Sequence, residues 1–298
     1  MLPEWLSIKP ASTEKYEKIK EQITNLSLHT VCIEAHCPNM SECWSGGTAT
    51  FMLLGDLCTR GCRFCAVSKS AKGGNVDVSE PEKLALLIKE WKLDYVVLTS
   101  VCRDDLEDQG SGHFAKCISS IKKESPDTVV EVLIPDFRGS EECLATIIAS
   151  RPDVIGHNIE TVERLSAEVR DRRAYYRQSL TVLRNTKKLN PHIYTKSAMM
   201  LGIGERDDEV LQTMRDLRSS GVDFLAIGQY LRPSKNHIRV VEYVRPEKFE
   251  YLGAKAKEMG FLYTAAGPFV RSSYKAGEFF IKATINKTNK LSSEVPIA

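Results

Sequence analysis

Apolar positions in this chain follow two periods. Between residues 12 and 28, Tyr16, Ile19, Ile23 and Leu26 recur at helical spacing while Lys15, Lys18, Lys20 and Glu21 fill the rest of the wheel, so an amphipathic helix lying on something is predicted. From residue 50 the chain alternates short β-rich runs with amphipathic helices. The runs are TFMLLG from Thr50, YVVLTSV from Tyr95, TVVEVLIPD from Thr128, VIGHNIE from Val154, IYTKSAMMLGIG from Ile193 and DFLAIGQY from Asp223. They are apolar on both faces over much of their length, as strands of a parallel sheet covered on both sides are.

The intervening helices carry their own signals. Ser79-Glu80-Pro81-Glu82 has the form of a capping box with an early proline, opening a helix whose Leu84, Leu87, Ile88 and Trp91 share a face. Phe114, Cys117, Ile118 and Ile121 repeat that spacing, as do Leu144, Ile147 and Ile148 after Ser140, and Val210, Leu211, Met214 and Leu217 before Gly221, a C-terminal cap. Two helical stretches, separated near DRRAYYRQS, lie between the fourth and fifth strands.

Six consecutive strand-helix units require right-handed crossovers and a single parallel sheet, either doubly wound or curled into a barrel. Periodicity alone leaves both open. In both, function sits at the C-terminal strand ends, where Thr99, Ser100, Asp136, Asn158, Glu160, Gly204, Glu205 and Gln229 fall.

Composition narrows the classes of partner. The 298 residues suffice for one large domain or two small ones, and 41 basic against 39 acidic residues leave no field that argues for nucleic acid or an anionic membrane. No apolar run is long enough to span a membrane, and MLPEWLSIKP lacks the apolar core of a signal peptide, so the cytoplasm is expected. There, nine cysteines read as thiols or metal ligands rather than disulfides.

Six of the nine form two triplets, Cys32, Cys37, Cys43 and Cys58, Cys62, Cys65. The second lies just beyond the first strand, on the functional rim. Thiolates suit iron-sulfur clusters, zinc and copper(I). Structural zinc usually takes close cysteine pairs and a fourth nearby ligand. Three cysteines at three-then-two spacing with no fourth at hand suit instead a four-iron cluster held at three corners.

That triplet, with Phe64 before its last cysteine, resembles the radical S-adenosylmethionine superfamily. The resemblance implies that S-adenosylmethionine chelates the open iron and that one electron from the cluster cleaves it to a 5′-deoxyadenosyl radical. CIEAHCPNMSECW followed by GTATFMLLGDLCTRGCRFCAV resembles the lipoyl synthase family. So do TSVCRDDLEDQGSGHFA, EVLIPDFRG, HNIETVERLSAEVRDRRAYYRQSLTVL, TKSAMMLGIGE, GVDFLAIGQYLRPSKNHIRVVEYVRPEKF and GPFVRSSYKAG, across roughly residues 31 to 277.

The family implies an α/β fold, a partial (β/α)6 barrel over residues 48–265, with an N-terminal extension (1–47) and a C-terminal one (266–298). It implies two 4Fe-4S clusters and insertion of two sulfur atoms at C6 and C8 of an octanoyl chain on a lipoyl carrier domain or peptide. An unactivated C–H bond offers electrostatic or acid-base catalysis nothing to act on, which fits a radical route. Cys32, Cys37 and Cys43 would hold the auxiliary cluster that gives up its sulfur, with Ser273 of Arg271-Ser272-Ser273-Tyr274, in preference to Ser272, as the remaining ligand. By the same resemblance Thr99, Asn158, Glu160 and Gln229 contact S-adenosylmethionine; their alternative role is hydrogen bonding that satisfies strand ends. Arg172 and Arg173 either bind its carboxylate or form a solvated helix end. An electron donor such as ferredoxin or flavodoxin and an iron-sulfur cluster carrier are implied as partners.

Other standout residues read as structural. Cys117 and Cys143 suit a core; His113, His157 and His237 suit satisfied histidines, His36 a loop residue, and the charged tail after Phe280, with Lys287 and Lys290, a loose end. The chain departs from the family's pattern at Ala66 and at Cys102, an oxidation-sensitive thiol near a strand end. Competing classes are a sulfur-inserting relative of biotin synthase or methylthiotransferase type and a non-enzymatic iron-sulfur or zinc module.

Overall fold

The computed structural model describes residues 3–6, 14–34, 37, 39, 50–273 and 284–285. Expectations for His36, Cys43, Ala298-side residues such as Lys287 and Lys290, and Tyr274 fall outside them, as does the Tyr16 side chain.

Helix α1 (Glu14–Asn25) is followed by β1 (His29–Thr30) and a single turn, α2 (Val31–Glu34). Then come β2 (Thr50–Leu53), the short β3 (Leu57–Cys58) and β4 (Ser68–Lys69), α3 (Glu80–Trp91), β5 (Tyr95–Ser100), α4 (Ser111–Glu124) and β6 (Val129–Leu133). The second half runs α5 (Glu141–Ala149), β7 (Val154–Gly156), α6 (Glu163–Val169), α7 (Tyr176–Leu189), β8 (Tyr194–Leu201), α8 (Asp207–Ser219), β9 (Phe224–Gln229), α9 (Pro246–Glu258) and β10 (Tyr263–Gly267).

The main sheet is ordered β1-β2-β5-β6-β7-β8-β9-β10, with only β1 antiparallel. A doubly wound sheet reverses its strand order at a switch point; this one advances in a single direction, so same-handed crossovers place the helices on one face and the sheet curls as a partial barrel. All six expected runs are strands. The seventh parallel strand, β10, was not among them: YTAAG is short and small, and every residue in it is only half-buried. It also crosses the expected 265/266 boundary.

On the outer face, Val96, Leu98, Val130, Val132 and Ile155 pack against Leu84, Ile88, Phe114, Ile121 and Leu144 of the helices. Helix α1 joins this layer through Ile19 and Ile23, and Gln22 bridges Trp91 Nε1 (2.7 Å) and Glu90 (2.8 Å) on α3. On the inner face, Tyr95, Val97, Val154 and Phe224 form a floor with Ile285. Beside it sits a buried ion pair, Lys196 to Glu131 at 2.8 Å, with the Tyr95 hydroxyl donating to the same carboxylate. Toward the C-terminal rim, Ala198 and Ala226 are small enough to admit Val270. A Cβ on Gly228 would lie 2.0 Å from the Val270 carbonyl oxygen.

Two helix ends are instructive. Gly221 (φ +85°) ends α8 in a Schellman motif, with Val222 N–H to the Leu217 carbonyl and Gly221 N–H to that of Arg218. At α3 the helix starts where expected but the capping box is not made: Ser79 Oγ donates to Asp77, and Glu80 turns inward to accept the Leu54 N–H at 3.1 Å. Asp77 engages the Ser79 hydroxyl in place of the helix N-terminus, and Glu80 is buried with His113 at 2.6 Å.

Candidate active site

The second cysteine triplet occupies the loop that follows β2 at the C-terminal rim. Strand β3 carries Cys58, β4 pairs with it, and the intervening loop carries Cys62, Phe64 and Cys65. Backbone bonds tie this loop to three neighbours: Thr59 N–H to the Cys102 carbonyl beyond β5 (2.9 Å), Arg63 N–H to the Val169 carbonyl at the end of α6 (2.9 Å), and Ile238 N–H to the Arg63 carbonyl (3.1 Å). His237 Nε2 donates to the Cys65 carbonyl at 3.0 Å, with Ser234 on Nδ1 at 2.9 Å. His237 is thus a satisfied histidine that pins the loop. Phe64 packs, half-buried, against the core around Tyr230 and Ile238.

An ion lattice lies beneath. Arg60, 3% exposed, places its guanidinium between Asp104 (2.9 Å) and Asp136 (2.6 Å), which are 4% and 1% exposed. Asp104 also takes Arg138 (2.9 Å), Arg173 (3.3 Å) and the Thr59 hydroxyl (2.9 Å), while Gln178 donates to Asp136 at 2.7 Å. Burial works against both carboxylates, yet Arg60 holds each well below the usual carboxylate range. Arg173 is therefore neither a free anion-binding group nor a solvated helix end: it grips Asp171 (2.8 Å), Asp104 and the Thr59 carbonyl (2.6 Å). Arg172 is exposed.

The thiols sense one another. Burial raises the Cys62 pKa, with the charges of Glu160 and Cys58 adding to it, and burial pushes Cys65 up to about 12, with Cys62, Cys58 and Glu160 contributing. Cys58 and Cys102 share a hydrogen bond in which the proton stays on Cys102, so Cys58 shifts down. Two backbone donors face sulfur: Arg60 N–H to Cys58 (3.5 Å) and Asp171 N–H to Cys62 (3.3 Å). Three mutually repelling sulfurs with amide donors around them fit a cationic metal cluster, whose charge relieves the repulsion and whose ligand sulfurs take such bonds.

The strand-end residues differ in what they leave available. Glu160 holds φ +69°, unusual for a side-chain-bearing residue, and its backbone still continues the ladder to β8, with N–H to Ala198 at 3.1 Å and its carbonyl accepting Met200 at 2.9 Å. Strain of this kind persists where surroundings impose it and collects at functional sites. Its carboxyl, raised by burial, is bonded by Asn158, so the two act as a pair. Thr99 gives its hydroxyl to the Leu133 carbonyl at 2.9 Å. Gln229, 1% exposed, spends its amide on the carbonyls of Leu201, Tyr230 and Glu242 and accepts the Val244 N–H at 2.8 Å. For Gln229 the strand-end role is the one realised, since no donor is left for a nucleotide. Glu205 likewise serves the Gly202–Ile203 turn, at 2.6 and 2.9 Å.

Of the first triplet, Cys32 is buried in the α2 turn, Cys37 is half-buried with its N–H on the Cys32 carbonyl (3.0 Å), and Cys43 lies outside the described residues. The far end of the chain comes to them. After β10 the segment 268–273 turns back into the barrel mouth: Asn39 donates to the Phe269 carbonyl at 2.7 Å, and Thr50 Oγ1 on β2 donates to Ser273 Oγ at 2.9 Å. Burial raises Cys37, while Asn39 and the Arg271 charge lower it. Ser273, rather than Ser272, has a hydroxyl donor aimed at its oxygen.

The remaining standouts are structural. His157 bonds the Ile134 carbonyl (2.9 Å) and Ser179 (2.8 Å) and is held neutral, its pKa lowered by burial to about 4. Cys117 is fully buried beside the Glu80–His113 pair, and burial keeps it a thiol. A cleft of about 510 Å³ opens among Glu163, Arg164, Tyr176 and Asp216 on the outer helices, away from the cysteines; it is lined by charges already paired with one another and carries no part of this chemistry. Sequence reasoning missed Arg60, Asp104, Asp171 and His237 as site residues. Their only local signal was a dense run of charges beside the motifs.

Comparison with known proteins agrees with this arrangement. The profile described as "Radical SAM superfamily" matches residues 52–217, and that described as "N-terminal domain of lipoyl synthase of Radical_SAM family" matches residues 1–37. A Culex quinquefasciatus protein named "Lipoyl synthase, mitochondrial" is 53% identical over 98% of this chain and 78% of its own length. An Aedes aegypti protein of the same name is 55% identical over 95% of this chain and 74% of its own. Among solved structures, methylornithine synthase superposes with a TM-score of 0.55 at 10% identity, over 97% of this chain and 91% of that one. Streptococcus suis SuiB bound to S-adenosylmethionine gives 0.57 at 9%, over 88% and 57%. These last two establish the fold alone.

Proposed function

Because this chain belongs to the lipoyl synthase family of the radical S-adenosylmethionine superfamily, we propose a division of labour between its two cysteine triplets. The enzyme inserts two sulfur atoms, at C6 and C8, into a protein-bound octanoyl chain, using S-adenosylmethionine and 4Fe-4S clusters. Cys58, Cys62 and Cys65 hold the radical-forming cluster, and Cys32, Cys37 and Cys43 with Ser273 hold the sulfur-donating one. When bound, the first cluster supplies the electron that cleaves S-adenosylmethionine and the second supplies the sulfur.

The chain's own residues then position and protect. Asn158 and Glu160 hold polar groups of S-adenosylmethionine at the β7 end, with Thr99 across the rim and Phe64 packing beside it; Gln229 supports the β9 end from behind. Thr50 donates to the Ser273 oxygen, which favours its use as a ligand. Serine oxygen is a harder ligand than thiolate, so with a cluster bound Ser273 would be the weakest-matched of its four protein ligands. The small inner residues Ala198 and Ala226 leave the mouth to segment 268–273.

The observation that supports this reading is the meeting of Asn39 with Phe269 and of Thr50 with Ser273, which brings the C-terminal segment to the residues that flank the N-terminal cysteines in sequence. The substrate is an octanoylated protein; for the electron donor we infer a ferredoxin or flavodoxin, and for rebuilding the auxiliary cluster an iron-sulfur carrier. Among the described residues no helix is long and apolar enough to cross a membrane. We infer a compartment that keeps thiols reduced, the cytoplasm or, as in the relatives' names, the mitochondrion. Anaerobic reconstitution tests the reading: protein with full iron and sulfide, given reductant, S-adenosylmethionine and an octanoyl-lysine peptide, yields both 5′-deoxyadenosine and thiolated peptide. Absence of both overturns it.

A further inference from the structure

The loop between α6 and α7 meets the cysteine loop through one residue that faces both ways. Asp171 directs its backbone N–H at Cys62 Sγ (3.3 Å) while its carboxylate Oδ2 accepts the Gly61 N–H (2.7 Å). From the other side Arg173 grips the same carboxylate, with its backbone N–H (3.0 Å) and its Nε (2.8 Å) on Oδ1, and extends to the Thr59 carbonyl (2.6 Å). The neighbouring Arg63 N–H on the Val169 carbonyl (2.9 Å) closes the bracket. Thus Thr59, Gly61, Cys62 and Arg63, four residues of the cysteine loop, are all fastened to residues 169–173.

An amide aimed at a cluster sulfur stabilises the extra negative charge that reduction puts there, and so raises the reduction potential. The carboxylate of the same residue sets the direction of that amide, because it bonds Gly61, the residue next to Cys62, and so fixes the turn against the loop at the point where the amide meets the sulfur. We propose that Asp171 is a positioning residue for the radical-forming cluster: its carboxylate, clamped between Gly61 and Arg173, holds its own N–H on the Cys62 sulfur and thereby raises the cluster's reduction potential. The inference rests on the assignment of Cys58, Cys62 and Cys65 to that cluster. The residue acts through Cys62.

Removing the carboxylate also removes a negative charge, which by itself raises the potential, so two variants are needed. Asp171→Asn and Asp171→Ala lose the same charge, but only Asn keeps an oxygen to accept the Gly61 N–H. The measurement is a redox titration of the S-adenosylmethionine-responsive electron paramagnetic resonance signal of the reconstituted full-length enzyme, with pulsed detection of exchangeable protons after transfer to D2O. Asp171→Ala titrates at lower potential than Asp171→Asn, by up to a tenfold change in the reduced-to-oxidised ratio at fixed poise, ~59 mV for a one-electron couple. It also loses an exchangeable-proton coupling that Asp171→Asn retains. Arg173→Lys, which keeps the charge but not the two-pronged grip, moves the potential down in the same sense and serves if Asp171→Ala does not fold.

Coincident potentials and unchanged proton couplings in Asp171→Ala and Asp171→Asn, or a wild-type potential and coupling in Arg173→Lys where Ala fails to fold, overturn the proposal while leaving the cluster assignment standing. A fully iron-loaded wild type with no S-adenosylmethionine-responsive signal overturns both.

Discussion

The two cysteine triplets are held in different ways. Around Cys58–Cys65 the loop is fastened to residues 169–173, to the Cys102 carbonyl beyond β5 and to Ile238, and a buried lattice of Arg60, Asp104 and Asp136 lies beneath. Around Cys32 and Cys37 the described contacts join distant parts of the chain: Cys37 N–H on the Cys32 carbonyl, the Arg271 charge near Cys37, Asn39 on Phe269, and Thr50 on Ser273. The difference is one of connectivity: the second triplet is tied to strand and helix ends that lie beside it on the rim, whereas the first triplet's neighbourhood joins residues from the two ends of the chain.

The comparison breaks most severely at Arg60. Arg60→Met leaves Asp104 and Asp136 buried with less positive charge, at a cost of about 3–5 kcal/mol in urea unfolding of the apoprotein, larger than any single change around Cys37 produces. Next is Gly228→Ala, whose methyl would collide with the Val270 carbonyl and push segment 268–273 out of the barrel. Thiolated product falls roughly 10–100-fold, as when a supporting contact of a metal ligand is lost, while 5′-deoxyadenosine formation holds within about threefold.

A pH test sharpens the Cys58–Cys65 half alone. His157 bonds Ser179, which also takes Arg170 at 2.8 Å, so it braces the strand end that carries Asn158 and Glu160. Its folded pKa is lowered to about 4 from 6.5, so its contribution is present above the unfolded value and is lost as pH falls toward the folded one. Between pH 7 and pH 5 the apoprotein loses ~2 kcal/mol of unfolding free energy from this group, and His157→Gln flattens the slope. The smallest expected effect is Thr50→Val, which removes one hydrogen bond to Ser273: about 1 kcal/mol, read as a several-fold drop in sulfur insertion with cleavage unchanged.

Much of the frame was legible because local sequence and tertiary structure agree. Runs such as YVVLTSV and DFLAIGQY are strands since nothing but a two-sided sheet buries them, and Gly221 ends its helix because the Schellman turn needs φ > 0. Where local and long-range interactions compete, sequence reading fails. Ser79 is drawn to Asp77, so the capping box does not form; Tyr263–Gly267 is a strand because β9 offers an edge, not because YTAAG resembles one. The gathering of Cys58, Cys62 and Cys65 in one rim loop was legible from spacing, and the residues that brace the loop were not. Arg60 with Asp136, or Asp171 with Gly61, are pairs that only the curled sheet brings together. Gln229 shows a polar residue at a strand end whose amide is engaged by the backbone it supports.

The division of labour itself is tested by comparing two variants under one assay. Cys62→Ala and Cys37→Ala are reconstituted anaerobically, their iron counted, and each is given reductant, S-adenosylmethionine and octanoyl-lysine peptide, with 5′-deoxyadenosine and thiolated peptide quantified together. Cys62→Ala makes neither product, whereas Cys37→Ala still makes 5′-deoxyadenosine but no thiolated peptide. Identical product profiles from the two, with the untouched cluster assembled in each, would contradict the separation of radical formation from sulfur donation.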